Sequence, residues 1–177
     1  LPSPQVPKSQ SPSPTVHALA SVATVVGILL ATSAHAAETD KTLVAWVAPA
    51  NLTQQGGSAL TIQSGDRFDA MVFGERLRGR WMAGSNFFRR TQADQSGCPA
   101  ETADAQTTVQ MAIVYDGDDI RIYRNGEPYC TYRTKNIDLL GVDNHIAVFG
   151  LRHIGAGSGT PFAGAIDDAR IYARALT

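Results

Sequence analysis

The chain has 177 residues, a formal net charge of −1, 44% hydrophobic residues and 18% charged residues. This balance allows one globular domain with its own core and excludes extensive disorder. A net charge so close to zero argues against nucleic acid or an anionic membrane as the main partner.

The first 36 residues differ from the rest and predict an export signal. Residues 1–14 are rich in Pro, Ser and Gln and cannot build a core. An unbroken apolar and small-residue run covers 18–31, and Ala34-His35-Ala36 follows it. Because the run is shorter than the ~20 residues of a membrane span, we predict a signal peptide cleaved after Ala36. Cleavage leaves a predicted domain of residues 37–177, which is secreted, periplasmic or at the cell surface and has no membrane contact. An uncleaved anchor is the alternative.

Beyond residue 37, apolar and polar residues alternate between turn signals, which is typical of β-strands. The first candidate strands are 42–47, 58–63 and 68–73, with weaker candidates at 80–83 and 87–91. Residues 92–106, which follow them, are polar with Gly and Pro and predict a long loop.

The clearest local structure spans residues 107–133. Asn125-Gly126 lies between two strand-like runs, and this dipeptide is the strongest short-range hairpin signal because both positions need positive φ. A two-residue loop places Ile122 opposite Tyr129 and Arg121 opposite Cys130. With a turn at 116–119, the segment predicts a three-stranded meander.

The predicted meander has one apolar face and one mixed face. The apolar face carries Ile113, Tyr115, Ile120, Ile122 and Tyr129. The mixed face is either half solvated or covered by loops, and its Arg121, Tyr123 and Tyr132 are candidate ligand-binding residues. The mixed face consists of Ala112, Val114, Arg121, Tyr123, Cys130 and Tyr132.

The last strand signals are 146–151 and 165–172, which brings the total to about nine short strands with no substantial helix. Such a chain forms a sandwich or a jelly roll.

The order of these pieces resembles the laminin G-like modules of the concanavalin A-like lectin and glucanase superfamily, from about residue 40 to 177. The resemblance rests on the opening Thr-Leu-Val-Ala-Trp-Val strand and on the Tyr-Asp-Gly turn with its Asn-Gly hairpin. It rests also on the closing Gly164-Ala-Ile-Asp-Asp-Ala-Arg-Ile-Tyr172 strand. The resemblance implies an all-β, concanavalin A-like antiparallel β-sandwich, or jelly roll.

The resemblance also implies a secreted, non-catalytic binding module, carbohydrate-binding and lectin-like, with a glycan or a cell-surface protein as partner. Two alternatives stay open. The chain could be the non-catalytic N-terminal module of a longer secreted glycoside hydrolase, or a structural or protein-adhesion module of the cell surface. The glucanases of this superfamily carry Glu-x-Asp-x-x-Glu on one strand, and no such run exists here. We therefore predict that the chain is not an enzyme. Nothing in the sequence indicates an oligomeric state.

Asp167 and Asp168 are the one candidate metal site. Related sandwich modules often hold a structural Ca²⁺ between their first and last strands, and Ca²⁺ takes oxygen ligands. The alternative is that Asp167 lies in a β-bulge while Asp168 pairs with an arginine such as Arg170 or Arg174. Adjacent residues cannot flank a glycosidic bond as a catalytic pair.

Cys98 and Cys130 are the only cysteines. In an exported chain such a pair predicts a disulfide, which would tie the 92–106 loop to the outer face of the central hairpin. Two free thiols are the alternative. The chain-entropy model assigns roughly 3–4 kcal/mol to a crosslink of this span.

A basic and aromatic segment covers residues 76–90, where five arginines surround Trp81, Phe87 and Phe88. One interpretation is a face that binds sugars or polyanions by stacking and by arginine hydrogen bonds, with Trp81 as a ligand-binding residue. The other is that the aromatic rings belong to the core while the arginines face solvent.

Overall fold

The computed structural model describes residues 28–29, 40–135, 140, 144–155 and 160–177. Within these residues the chain is built from β-strands and one short 3-10 turn, Asn86–Phe88. The strands are β1 (Ile28–Leu29), β2 (Lys41–Pro49), β3 (Gly57–Ser64), β4 (Arg67–Phe73), β5 (Trp81–Ser85), β6 (Val109–Asp116), β7 (Asp119–Arg124), β8 (Glu127–Arg133), β9 (Ile146–Phe149) and β10 (Gly164–Tyr172).

The strands form two antiparallel sheets of five strands each. The first sheet has the order β1-β9-β3-β4-β5, and the second has the order β10-β2-β6-β7-β8. The closing strand β10 therefore lies beside β2, where the domain opens. This arrangement confirms the predicted all-β sandwich of jelly-roll type.

The core lies between the two sheets and follows the alternation of the strands. On β2, Leu43, Ala45 and Val47 are fully buried, so Thr42, Val44 and Trp46 point to the opposite, outer face of the second sheet. The predicted apolar face of the meander is confirmed, since its five residues are all buried: Ile113, Tyr115, Ile120, Ile122 and Tyr129.

A β-bulge in β8 changes the predicted hairpin register. Arg124 lies opposite Glu127, as a two-residue loop requires, but Ile122 lies opposite Cys130 and Arg121 opposite Thr131. Tyr129 is the extra residue, and its hydroxyl accepts a hydrogen bond from the Trp81 amide at 3.1 Å. The predicted pairs Ile122–Tyr129 and Arg121–Cys130 are therefore wrong.

The bulge turns Cys130 and Tyr132 toward the core, whereas the sequence predicts them on the mixed outer face. The predicted disulfide between Cys98 and Cys130 is present, with a Cα–Cα distance of 5.5 Å. Cys98 is buried in the core cluster and Cys130 packs against it. The crosslink thus ties the 92–106 loop to the edge of the core and not to the outer face.

Glu101 fixes the same loop from inside. Its side chain is fully buried, and both carboxylate oxygens accept hydrogen bonds from Arg124, at 3.0 and 2.7 Å. The indole nitrogen of Trp81 donates a further bond of 2.9 Å, and the amides of Thr102 and Ala103 donate two more. Burial raises the pKa of this carboxyl, but the hydrogen bonds outweigh burial and lower the pKa to about 2.

The strand predicted at 87–91 is absent, because the chain makes a tight turn there. Phe87 and Phe88 adopt left-handed backbone angles, with φ of 52° and 57°. Arg90 follows with its guanidinium buried on the Asp69 carboxylate, 3.0 Å away. The turn therefore delivers a buried charge to the core instead of extending the first sheet.

The predicted signal peptide lies outside the described residues except for β1. Ile28 lies opposite Ala147 and Leu29 opposite Ile146, so β1 extends the first sheet beside β9. Cleavage after Ala36 would remove this strand and leave β9 at the edge of the sheet. No helix in the described part of the chain has the length and apolar character needed to cross a membrane.

Candidate functional site

A groove of about 380 Å³ runs across the outer face of the second sheet. Strand pairing aligns its residues in rows. In the central row, Val44 lies opposite Arg170 on β10 and opposite Ala112 on β6. Ala112 in turn lies opposite Tyr123 on β7. The row therefore runs from a cation, across two small side chains, to an aromatic ring.

The floor of the groove is made of small side chains. Val44 and Val114 are buried although they point away from the core, and Ala112 lies on β6 beside Val114 and opposite Val44. Small residues in the middle of a sheet face leave a depression wherever larger side chains flank them. The sequence of β2 and β6 thus creates the groove directly.

Trp46 and Arg170 form one wall. The guanidinium carbon of Arg170 lies 4.9 Å from the centre of the Trp46 ring, in the geometry of a cation–π contact. Arg170 is also held by Asp168 through hydrogen bonds of 2.8 and 3.1 Å. These contacts fix the indole and the guanidinium relative to each other before any ligand arrives.

Tyr123 lies on the β7 side of the groove, and Gln110 of β6 is the cross-strand neighbour of Trp46, near the Asn125-Gly126 turn. The backbone of Gln110 exchanges hydrogen bonds of 2.8 Å with Asn125, to its side-chain oxygen and from its amide. The Gln110 side chain lines the groove and makes no hydrogen bond within the described residues. It therefore has both an amide donor and an acceptor available.

The C-terminal segment closes one end of the groove. The Thr42 hydroxyl donates to the Arg174 carbonyl at 2.9 Å and accepts from the Leu176 amide at 3.0 Å. Leu176 and Thr177 consequently lie over the sheet beside Tyr172.

The structure separates the four predicted ligand-binding residues into two pairs. Tyr123 lines the groove, and Arg121 lies on the same outer face, bound to Asp116 at 2.9 Å. Trp81 has an exposed fraction of 0%, and the Tyr132 hydroxyl donates inward to the Arg90 carbonyl at 2.6 Å. The prediction is therefore corrected: Trp81 is a core residue whose ring cannot reach a ligand, and Tyr132 is partly buried and packs against the core.

The two acids of the closing strand match the alternative given for them. The register of β10 shifts between Ile166 and Asp168, so Asp167 is the extra residue of a bulge. Asp168 pairs with Arg170, as described above. Among the described residues, no group of three or more His, Cys, Asp or Glu side chains could hold a metal ion. A Ca²⁺ ion beside Asp167 would therefore take most of its 6–8 oxygen ligands from backbone carbonyls and water.

A second exposed surface lies at the Asn86–Phe88 turn, on the first sheet. Phe87 is 80% exposed and Phe88 is 40% exposed. Trp81 of the same sequence segment is buried, so the interpretation of these rings as core holds for Trp81 and fails for the two phenylalanines.

Sequence reasoning missed three residues of the groove, namely Trp46, Gln110 and Arg170. Alternation along β2 places Trp46 on the outer face, and that signal was available. The neighbours of Trp46 depend on the pairing of β2 with β6 and β10, which are distant in sequence, and no local pattern encodes that pairing.

Comparison with known families supports the fold. A laminin G-type family model, described as the concanavalin A-like lectin/glucanases superfamily, matches residues 26–177. The match begins inside the predicted signal peptide. A search of curated proteins found no match.

Solved structures with the same fold include modules of larger proteins. Domain 4 of AbnA, a GH43 extracellular arabinanase from Geobacillus stearothermophilus, has a TM-score of 0.60 at 21% identity, over 85% of this chain and 68% of that one. A heptameric SAP-like pentraxin from Limulus polyphemus has a TM-score of 0.54 at 19% identity, over 78% and 66%. The CBM40 of the Ruminococcus gnavus IT-sialidase has a TM-score of 0.52 at 17% identity, over 80% and 79%.

Proposed function

Because the chain belongs to the concanavalin A-like lectin/glucanases superfamily, we propose that it is a secreted, non-catalytic module that binds a saccharide. The binding site is the groove on the outer face of the second sheet. The observation that carries this proposal is the composition of that groove, in which aromatic rings and planar polar groups flank a floor of small residues.

This composition suits a sugar ring for physical reasons. A pyranose has apolar C–H faces that pack against an aromatic ring, and Trp46 and Tyr123 supply such rings on opposite walls. Its hydroxyls are both donors and acceptors, and Arg170 and Gln110 offer planar hydrogen-bonding groups. The volume of about 380 Å³ falls within the roughly 300–1,000 Å³ of small-molecule sites.

The same composition argues for binding without hydrolysis. Glycoside hydrolysis uses two carboxyl groups that flank the scissile bond. No acid and no histidine is among the described residues that line the groove. An assay for sugar release from a glycan that the chain binds tests this point, and steady release by the purified chain would contradict it.

Two of the similar structures carry saccharides. AbnA domain 4 was solved with arabinotriose, and the Ruminococcus gnavus CBM40 with α2,3 sialyllactose. Both are parts of glycosidases, which favours the alternative that this chain belongs to a longer glycoside hydrolase. A catalytic domain encoded downstream of Thr177 would establish that alternative, which is compatible with binding in the groove.

Replacing Trp46 with alanine is expected to weaken binding of a neutral saccharide at least tenfold, because the substitution removes one stacking wall and the packing partner of Arg170. Tyr123→Ala should act in the same direction. A glycan array identifies the neutral saccharide, and calorimetry on the full chain measures the dissociation constant.

Phe87→Ala is the matched control for this experiment, since it removes an exposed aromatic ring on the other sheet and should leave the constant unchanged. The proposal that the groove binds the saccharide is contradicted if neither Trp46→Ala nor Tyr123→Ala weakens binding. It fails equally if the wild-type chain binds no saccharide on the array.

Export with cleavage after Ala36 is part of the proposal. N-terminal sequencing of the protein recovered outside the cytoplasm should begin at Ala37. Recovery of a chain that retains residues 28–29 would show instead that β1 stays in the mature sheet.

Calcium binding at Asp167 stays a prediction. If the ion is structural, EDTA should lower the midpoint of thermal unfolding and added Ca²⁺ should restore it, since a ligand stabilises the state that binds it. An unchanged midpoint in EDTA removes the proposal, and Asp167→Asn should then have no effect of its own.

A further inference from the structure

We propose that the Asn86–Phe88 turn is a second ligand site, separate from the groove, and that it takes an acidic saccharide, a pyranose carrying a carboxylate. The inference uses the proposed function only in choosing a saccharide as the ligand. Its own basis is the exposure, the backbone and the charge of the turn.

The turn presents aromatic rings to solvent in a fixed position. Left-handed angles at two consecutive bulky residues are unfavourable and persist only where the surrounding structure enforces them. Here the flanks enforce them. The Arg90 amide donates to the Ser85 hydroxyl at 2.7 Å, and the Arg89 carbonyl accepts from the Thr134 hydroxyl at 2.9 Å.

A turn of this kind could be formed more easily by Gly or Asn, which adopt positive φ at lower cost. The chain instead places phenylalanine at both positions and leaves Phe87 80% exposed. The turn carries Arg90 into the core, but that role does not require phenylalanine at either position, and the exposed Phe87 ring adds nothing to the core. Phenylalanine at these exposed positions is explained if the rings contact a ligand.

Guanidinium groups accompany the two rings. The Arg76 guanidinium carbon lies 4.9 Å from the centre of the Phe88 ring, and that of Arg89 lies 5.9 Å from the centre of the Phe87 ring. Arg76 and Arg89 are both exposed. The site thus combines an apolar ring face with planar cations, which can bind a carboxylate through paired hydrogen bonds.

A cavity of about 220 Å³ lies beside the turn, between the rings and the segment that follows β9. Glu75 and Arg152 line it and form an ion pair with each other. Glu75 is the only acid in residues 74–90, a segment whose exposed charged side chains are Arg76, Arg78 and Arg89. Because this carboxylate is already paired, the surface around the turn is cationic, and charge complementarity selects an anionic ligand.

The experiment compares a carboxylated saccharide with the same saccharide without its charge. Oligomers of galacturonate, mannuronate and guluronate, each beside its methyl ester, are titrated into the full chain by calorimetry. We expect at least one acid to bind and its ester to bind at least tenfold more weakly. Raising the salt concentration from about 50 to 300 mM should weaken binding of the acidic saccharide several-fold, because the contacts are exposed.

Substitutions then locate the site. Phe87→Asn and Arg76→Gln should each weaken binding of the acidic saccharide at least fivefold, while Trp46→Ala should leave that binding unchanged. Because Asn tolerates positive φ, Phe87→Asn should melt no lower than the wild-type chain, which separates lost binding from lost folding.

Three outcomes overturn the inference. The first is that none of the acidic saccharides binds, and the second is that acid and ester bind equally well. The third is that Trp46→Ala loses binding of the acidic saccharide while Phe87→Asn retains it. The first of these, together with binding of a neutral saccharide in the groove, would remove the second site and leave the proposed function intact. If an acidic saccharide bound at the turn and no saccharide bound in the groove, the second site would stand and the proposed groove would be removed.

Discussion

Replacing Asp69 with alanine is expected to destabilise the domain by about 3–5 kcal/mol, because removing one partner of a buried ion pair leaves uncompensated charge. Asp69 and its two cationic partners are almost completely buried. One carboxylate oxygen of Asp69 lies 3.0 Å from the Lys41 amine and 3.0 Å from an Arg90 nitrogen. Both cations also lie over the ring of Tyr115, at 5.2 and 4.4 Å from its centre. Urea denaturation measures the loss.

The matched control is Asp116→Asn, which breaks a more exposed pair with Arg121 at 2.9 Å. Surface pairs contribute at most about 1 kcal/mol. Asp69→Asn keeps the volume of the side chain and supplies a second measurement if Asp69→Ala does not fold. Adding Lys41→Met to Asp69→Asn removes one buried cation and should recover part of the lost stability. A change at Asp69 no larger than the change at Asp116 would contradict the prediction.

Such a cluster could not be read from the sequence. Lys41 begins β2, Asp69 lies within β4 and Arg90 follows the Asn86–Phe88 turn. Charged residues at strand ends normally predict solvent exposure. These three meet only because the two sheets pack face to face and because the turn directs Arg90 inward. Their burial is a property of the tertiary structure alone.

Local signals did predict most strands and one turn. Alternation located β2, β3, β4 and β6 to within one or two residues, since a half-buried strand imposes a period of two. The Asn125-Gly126 turn is present, with φ of 52° and 81°, because few other residues adopt those angles. The predicted disulfide is present as well.

The errors of register and face in the meander have one cause, a single extra residue. Tyr129 in β8 is the extra residue of a bulge. A bulge shifts one strand by one position, which reverses the face of every residue beyond it. This reversal moved Cys130 and Tyr132 from the predicted outer face into the core. Alternation carries no signal for such an insertion, because it depends on how neighbouring strands twist and pair.

The candidate site was less predictable than the fold. Tyr123 was identified because the Asn-Gly hairpin fixes its neighbours locally. Trp46 and Arg170 come together only through the pairing of β2 with β10, the first and last strands of the domain. Phe87 and Phe88 were identified as part of a basic, aromatic segment, but their exposure depends on left-handed angles that nothing in their sequence favours.

Replacing Glu101 with alanine is expected to cost about 4 kcal/mol at neutral pH. The substitution leaves the buried indole nitrogen of Trp81 without its acceptor, and it removes the carboxylate that Arg124 and the amides of Thr102 and Ala103 bind. An unsatisfied buried donor costs about 1–3 kcal/mol, and the lost ion pair with Arg124 adds to that. Urea denaturation at neutral pH measures the change.

Glu101 also predicts how stability depends on pH. Its pKa is about 2 in the folded chain, against an ordinary value of 4.5. Because the folded pKa is the lower one, the carboxylate contributes stability above pH 4.5 and loses it as the pH falls toward 2. The shift corresponds to about 3 kcal/mol. Glu101→Gln should therefore flatten the stability profile between these two pH values, as well as lower stability at neutral pH.

Glu127→Gln is the matched control, since Glu127 lies opposite the same Arg124 in the hairpin ladder but is exposed. It should change neither the stability at neutral pH nor the slope in acid. If wild type and Glu101→Gln lost stability in parallel between pH 4.5 and 2, the acid sensitivity would arise from other carboxylates. The buried network would then act through hydrogen bonds that survive protonation. A difference that grows as the pH rises from 2 to 4.5 instead assigns the sensitivity to the one carboxylate that joins the 92–106 loop, the core indole of Trp81 and the central hairpin.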